Sequence, residues 1–198
     1  MDQFQDRPHG SDPVTRPDRV ANTDGVALHA GEFITKSERP AGGYARSQQR
    51  LHWIVALLVL GQLAGGIWIA TMAREGHDAR LRELLYAHLV NGTVIFCLTA
   101  WRLSLRRRLG VPAPPPGTPV DAAALALANH RAFYALLLAL PVLGWLTYLS
   151  PRGPAHALLF AMHGGTALVL VLAISAHLAG VAYHTFVRHD GLLKRMLG

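Results

Sequence analysis

Between residues 51 and 183 the chain alternates long apolar blocks with short polar connections. Residues 51–72 are apolar apart from His52, Gln62 and Thr71, and residues 84–103 are broken chiefly by His88, Asn91 and Arg102. Residues 122–149 are apolar past His130 and Arg131, and residues 157–183 hold no formally charged side chain. Each block reaches the roughly 20 residues that a helix needs to cross a bilayer. Hydrocarbon offers no partner to a backbone N–H or C=O, so a lone spanning segment satisfies them internally, as a helix. The pattern predicts an all-α integral membrane protein, a bundle of four transmembrane helices.

The connections differ in kind. Residues 111–119 (VPAPPPGTP) are proline-rich and read as a stiff, extended linker. Residues 150–154 (SPRGP) read as a tight turn that makes the third and fourth spans an antiparallel hairpin. Pro141, inside the third span, is expected to kink it. Residues 1–43 have no apolar run and no signal-peptide core and read as a flexible tail, leaving one membrane domain over residues 44–198.

Charge orients the bundle. Lys36, Arg39, Arg46 and Arg50 precede the first span, Arg102, Arg106, Arg107 and Arg108 join the second to the third, and Arg188, Lys194 and Arg195 follow the fourth. The opposite side carries only Arg74, Arg80, Arg82 and Arg152, the first three offset by Glu75, Asp78 and Glu83. Positive residues stay inside, so both termini are expected to be cytoplasmic. The chain is 16% charged, against about a quarter for a soluble domain, and its net charge of +7 flanks the spans. That charge is a topology signal and argues against nucleic-acid binding. The single cysteine, Cys97, forms no internal disulfide and reads as a small buried residue; without a CxxCH motif, covalent haem attachment is not indicated.

The polar residues that interrupt the spans carry the chemistry. His163 and His177 lie fourteen residues apart on one span. That spacing rises about 21 Å and returns to within about 40° of the same face, which sets one imidazole near each edge of the apolar layer. His52 opens the first span and His88 lies early in the second. With the topology above, His52 shares the cytoplasmic depth of His177, and His88 shares the outer depth of His163. Neutral imidazole is a common axial ligand of b-type haem, and a low-spin haem takes one on each face. The pairs His52/His177 and His88/His163 therefore point to two haems stacked across the membrane. His130 competes with His52 for the inner position, and His184, seven residues past His177, serves a quinone or a haem propionate or is simply solvated. Gly61, Gly65, Gly66, Gly92, Gly164, Gly165 and Gly180 either make room for porphyrin or pack helix on helix.

The chain resembles the bacterial cytochrome b561 family of four-helix, di-haem membrane proteins. The resemblance rests on LHW at 51–53 with Tyr44 and Arg46 upstream, YAH at 86–88, PVLGW at 141–145, and His163, His177 and His184 followed by HDGLLKRM at 189–196. It covers about residues 44–198. It implies axial ligands at His52, His88, His163 and His177, exchange of electrons with ubiquinone, and a quinone region around Arg46, Arg50 and His184. One branch of the family resembles a superoxide:ubiquinone oxidoreductase that draws electrons from periplasmic superoxide. The short connection from Ser150 to His156 departs from relatives in which this loop is longer and covers the outer haem.

The expected activity is electron transfer across the bacterial inner membrane between two b haems and ubiquinone, with superoxide or another periplasmic donor outside. Arg74, Arg80, Arg82 and Arg152 either steer such an anion or merely solvate the outer loops. A second reading is a haem-bearing anchor subunit that links a separate dehydrogenase or periplasmic carrier to the quinone pool. A haem-free transporter is the third.

Overall fold

The computed structural model describes residues 43–75, 78–114 and 117–197. The tail expected over residues 1–43 lies outside them, Gly43 apart. Four long helices form: α1 (Arg46–Glu75), α2 (Asp78–Leu109), α3 (Val120–Leu149) and α4 (Pro154–Tyr183). A π-helical turn, His184–Arg188, and a short helix α5, Lys194–Leu197, complete the chain. All four long helices are apolar enough to cross a membrane, their 18-residue apolar stretches having mean hydropathies of 2.0, 1.5, 1.8 and 2.2 in chain order. At about 1.5 Å per residue, 30 residues exceed a 30 Å apolar layer, so the ends project or the helices tilt.

The helices outrun the apolar blocks. Arg102, Arg106, Arg107 and Arg108, expected in the loop after the second span, instead form the last turns of α2. Nothing before Gly110 breaks the helix, and cations near its C-terminus complement the helix dipole. Gly110 then ends it with φ +74°, a backbone conformation that glycine takes without steric cost. Residues 150–153 make the tight connection expected, and Pro154 opens α4 in its first turn, where a missing N–H costs nothing. α3 runs unbroken through Pro141.

The core is a thin apolar seam. Leu51, Val55 and Val59, spaced by four along α1, meet Ile95 of α2, Leu137 and Leu140 of α3 and Leu170 of α4. Outward residues such as Leu57, Ile67 and Leu149 are about 70% exposed (72%, 69% and 69%), an apolar girth suited to lipid and not to water. Cys97, expected to be buried, is exposed, because its neighbours Ile95 and Thr99 take the inward positions of that turn. Consecutive helices pack closely on one another, whereas α1 and α4 approach much less.

Polar side chains tie together the end of the bundle that holds the proline-rich linker. The proline-rich linker has few N–H donors but a full set of carbonyls. Those of Ala113 and Gly117, with that of Gly110 just before the linker, accept from Arg195, Arg188 and Gln48 at 2.7, 3.0 and 3.1 Å. Gln49 and Trp53 of α1 donate to the carbonyls of Arg195 and Met196, both at 3.0 Å. The tryptophan of the LHW motif thus holds the KRM end of the chain. In mid-span, Asn91 donates to Gln62 Oε1 at 2.7 Å and Gln62 to the His88 carbonyl at 2.9 Å. This polar bridge joins α1 and α2, as interhelical amides do in membranes.

Candidate functional site

The four sequence-predicted histidines come together in two pairs. The His52 ring, from the first turns of α1, lies 6.4 Å centre to centre from that of His177, late in α4. The His88 ring of α2 lies 6.3 Å from that of His163, early in α4. Two imidazoles on opposite faces of one metal, with metal–nitrogen bonds of about 2 Å and ring centres about 1.1 Å behind the nitrogens, stand about 6.2 Å apart. Both pairs have that separation.

Further features fit such a group. His52 Nδ1 and His88 Nδ1 are buried without a hydrogen-bond partner among the described residues, so no bond fixes the tautomer of either ring and either nitrogen can keep the lone pair that a metal would take. His163 Nδ1 lies 3.1 Å from the Leu140 carbonyl. A carbonyl only accepts, so Nδ1 carries the proton and Nε2 keeps the lone pair that a metal would take. No group of three or more His, Cys, Asp or Glu among the described residues could hold a bare metal ion. Two imidazoles suffice only for a metal already held in its equatorial plane, as in a porphyrin.

Glycines shape the His88/His163 pair. A Cβ on Gly144 would stand 3.3 Å from His163 Cε1, and one on Gly66 3.4 Å from His88 Cε1. Gly144 belongs to the PVLGW motif, and its place against His163 was not foreseen. Gly92 backs onto Gln62, whereas a Cβ on Gly61, Gly164, Gly165 or Gly180 would meet nothing within 4 Å. Helix-on-helix packing does not account for those four.

The surroundings of the His52/His177 pair are more crowded. His130, whose Nδ1 bonds the Ala126 carbonyl at 2.7 Å, also approaches His177, but at 5.5 Å its ring is closer than the roughly 6.2 Å that suits a metal between two imidazoles. None of the three residues expected around a quinone bonds to another of them among the described residues. Arg46 and Arg50 are exposed and make no hydrogen bond or ion pair among the described residues. Both sit on the first turn and a half of α1, where an amphipathic end points its longest side chains outward. His184 instead pairs with Asp190, Nδ1 to Oδ2 at 2.6 Å, on the π-helical turn. Arg188 Nε lies 3.4 Å from the same carboxylate oxygen, and the Leu192 amide donates to Oδ1 at 3.2 Å. Partial burial works against ionisation of Asp190, yet the His184 hydrogen bond, the Leu192 amide and the charges of His184 and Arg188 hold its carboxyl below the usual carboxylate range. Sequence reading missed Asp190, although the HDG motif contains it. At the opposite end of the bundle Arg74, Arg80, Arg82 and Arg152 are exposed, while the side chains of Glu75 and Asp78 lie outside the described residues.

The fold and these pairs define a class: a four-helix membrane protein with one pair of facing histidines toward each end of its bundle. Residues 43–198 match the family described as prokaryotic cytochrome b561, and the chain belongs to that family. It is 33% identical over 161 residues to a cytochrome b562 of Cereibacter sphaeroides, covering 78% of this chain and 95% of the relative. It is 30% identical over 174 residues to cytochrome b561 homolog 2 of Escherichia coli, covering 74% and 87%. A further relative, cytochrome b561 homolog 1 of the same organism, is 26% identical over 181 residues, covering 78% and 96%. The protein is thus a haem-containing bacterial membrane cytochrome of electron transfer.

Proposed function

We propose that the protein carries electrons across the inner membrane through two b haems, one ligated by His88 and His163 near the outer face, the other by His52 and His177 near the cytoplasm, to or from ubiquinone. The observation that carries this reading is the ring separation of 6.4 and 6.3 Å in two pairs that share α4. His52 is preferred to His130 because its 6.4 Å ring separation from His177 suits a metal between the rings, whereas the 5.5 Å of His130 is too short.

The chain's residues orient and insulate. Leu140 fixes the His163 tautomer, Gly144 and Gly66 let two rings sit tight against neighbouring backbone, and the apolar girth excludes water. When bound, the two haems supply a one-electron relay across the apolar layer. Quinone reduction also consumes protons. Asp190 accepts from His184 Nδ1–H, which leaves Nε2 of His184 to give up a proton to a quinone oxygen and to be recharged from the cytoplasm. On this reading His184 serves the quinone and Asp190 orients it. The exposed outer arginines are read as loop solvation, and superoxide-driven reduction of ubiquinone by purified protein would overturn that reading in favour of anion steering. Co-purification of a dehydrogenase would recast the protein as its anchor subunit.

The test is haem content per polypeptide on detergent-purified protein, by the pyridine haemochrome spectrum. Two non-covalent b haems are expected. One would mean that a pair is wrongly assigned, and none would sink the proposal.

A further inference from the structure

α2 repeats the spacing of α4. Arg102 follows His88 by fourteen residues, as His177 follows His163. α2 and α4 run in the same direction, and the His88 and His163 rings are 6.3 Å apart. Arg102 therefore reaches the depth of the inner pair on nearly the same face of α2 that presents His88. Arg106 is one turn further in. Both guanidiniums stand 5.9 Å from the centre of the Tyr134 ring. With Tyr44, His130 and Tyr134 they line one cleft of about 280 Å³, its open mouth included. The His130 ring, 5.5 Å from that of His177, joins this cleft to the inner pair, and Arg102 lies within electrostatic range of His52 and His177.

No acid lines the cleft, and neither arginine makes a hydrogen bond or ion pair among the described residues. An aromatic face offsets only part of the cost of a cation at this depth, and charges inside membrane bundles are normally paired. The cleft thus calls for an anion with two acceptor groups, reached from the inner pair. We infer that Arg102 and Arg106 hold the carboxylate side chains of the inner porphyrin, each guanidinium offering a two-pronged donor set. The inference rests on the reading that His52 and His177 ligate a haem.

Redox titration of the full-length, detergent-purified protein tests it, on wild type, R102Q, R106Q and R102K. H88A, which removes the outer centre, assigns the two potentials. Loss of a positive charge beside the inner centre favours its oxidised form. R102Q and R106Q should each lower the reduction equilibrium constant of the inner haem about tenfold, about 59 mV for one electron. The outer potential should stay put, and R102K should recover most of the shift. Loss of the inner haem alone from R102Q, recovered in R102K, supports the same assignment; should R102Q lose both haems by misfolding, R106Q decides. Unchanged potentials with both haems bound overturn the inference while leaving the two-haem reading intact. A change seen only as altered binding of phosphatidylglycerol vesicles, with unmoved potentials, assigns the cleft to a lipid phosphate and also overturns it. Fewer than two haems in wild type is a failure of the underlying reading and not of the arginines.

Discussion

Gly144 and Asp190 show how single atoms set up the two ends of the bundle. A methyl group at position 144 would press on His163 Cε1 at 3.3 Å, tighter than ordinary contact. Because the ring is also tied to Leu140, it cannot yield without losing that bond. Gly144→Ala is expected to perturb or expel the outer haem alone, halving haem content while the inner spectrum persists; the pyridine haemochrome assay checks this. Asp190 has a carboxyl held below its ordinary value, so its contribution to holding the π-helical turn is complete above the unfolded value of about 3.9 and lost as pH falls through the folded one. Hydrogen exchange at the Leu192 amide, which donates to Asp190, should therefore depart from its ordinary pH dependence toward faster exchange only in that acid range. At neutral pH, Asp190→Asn should slow quinone reduction several-fold with haem content unchanged. The four histidines were legible in the sequence because an ionisable group inside an apolar block has few reasons to be there. Asp190 was not, because an aspartate before a glycine near a helix end ordinarily reads as turn chemistry. Gly144 was hidden for a related reason: a glycine in a span is as often packing as clearance.

At the scale of elements, hydropathy located all four helices but not their ends. Apolar runs mark where lipid must be, and helices continue past them until something stops the backbone, which is why four arginines assigned to a loop belong to α2. The links between elements were also invisible, since side chains bonding to distant carbonyls leave no local pattern. Two such links can be weighed. Replacing Asn91 by Leu removes the donor to Gln62 and loosens α1 against α2 beneath His88; double-mutant measurements in membranes put such bonds near 0.6 kcal/mol, with about 2 kcal/mol at most. A thermal shift of a few degrees in detergent, with both haems retained, is the expected outcome. Trp53→Phe keeps the ring but deletes the N–H bonded to the Met196 carbonyl, a loss of about 1 kcal/mol. Limited proteolysis should then cut the C-terminal segment faster while the bundle stays intact.

For the molecule as a whole, the positive residues gather at the end that holds the linker, α5 and the paired Asp190, so that end is expected in the cytoplasm. A reporter fused at the C-terminus that is active only in the cytoplasm should report activity; signal from a periplasm-specific reporter would invert the proposed direction of every step. The sharing of α4 by both histidine pairs has a consequence for biogenesis. Translation delivers the four spans in order, and α4 is the last of them. Neither proposed centre has both of its ligands until that span has emerged, however early the first two hairpin partners enter the lipid. Haem capture is therefore a late event at both ends of the bundle. A nascent chain halted before residue 163 would already sit in the membrane, and it would be colourless.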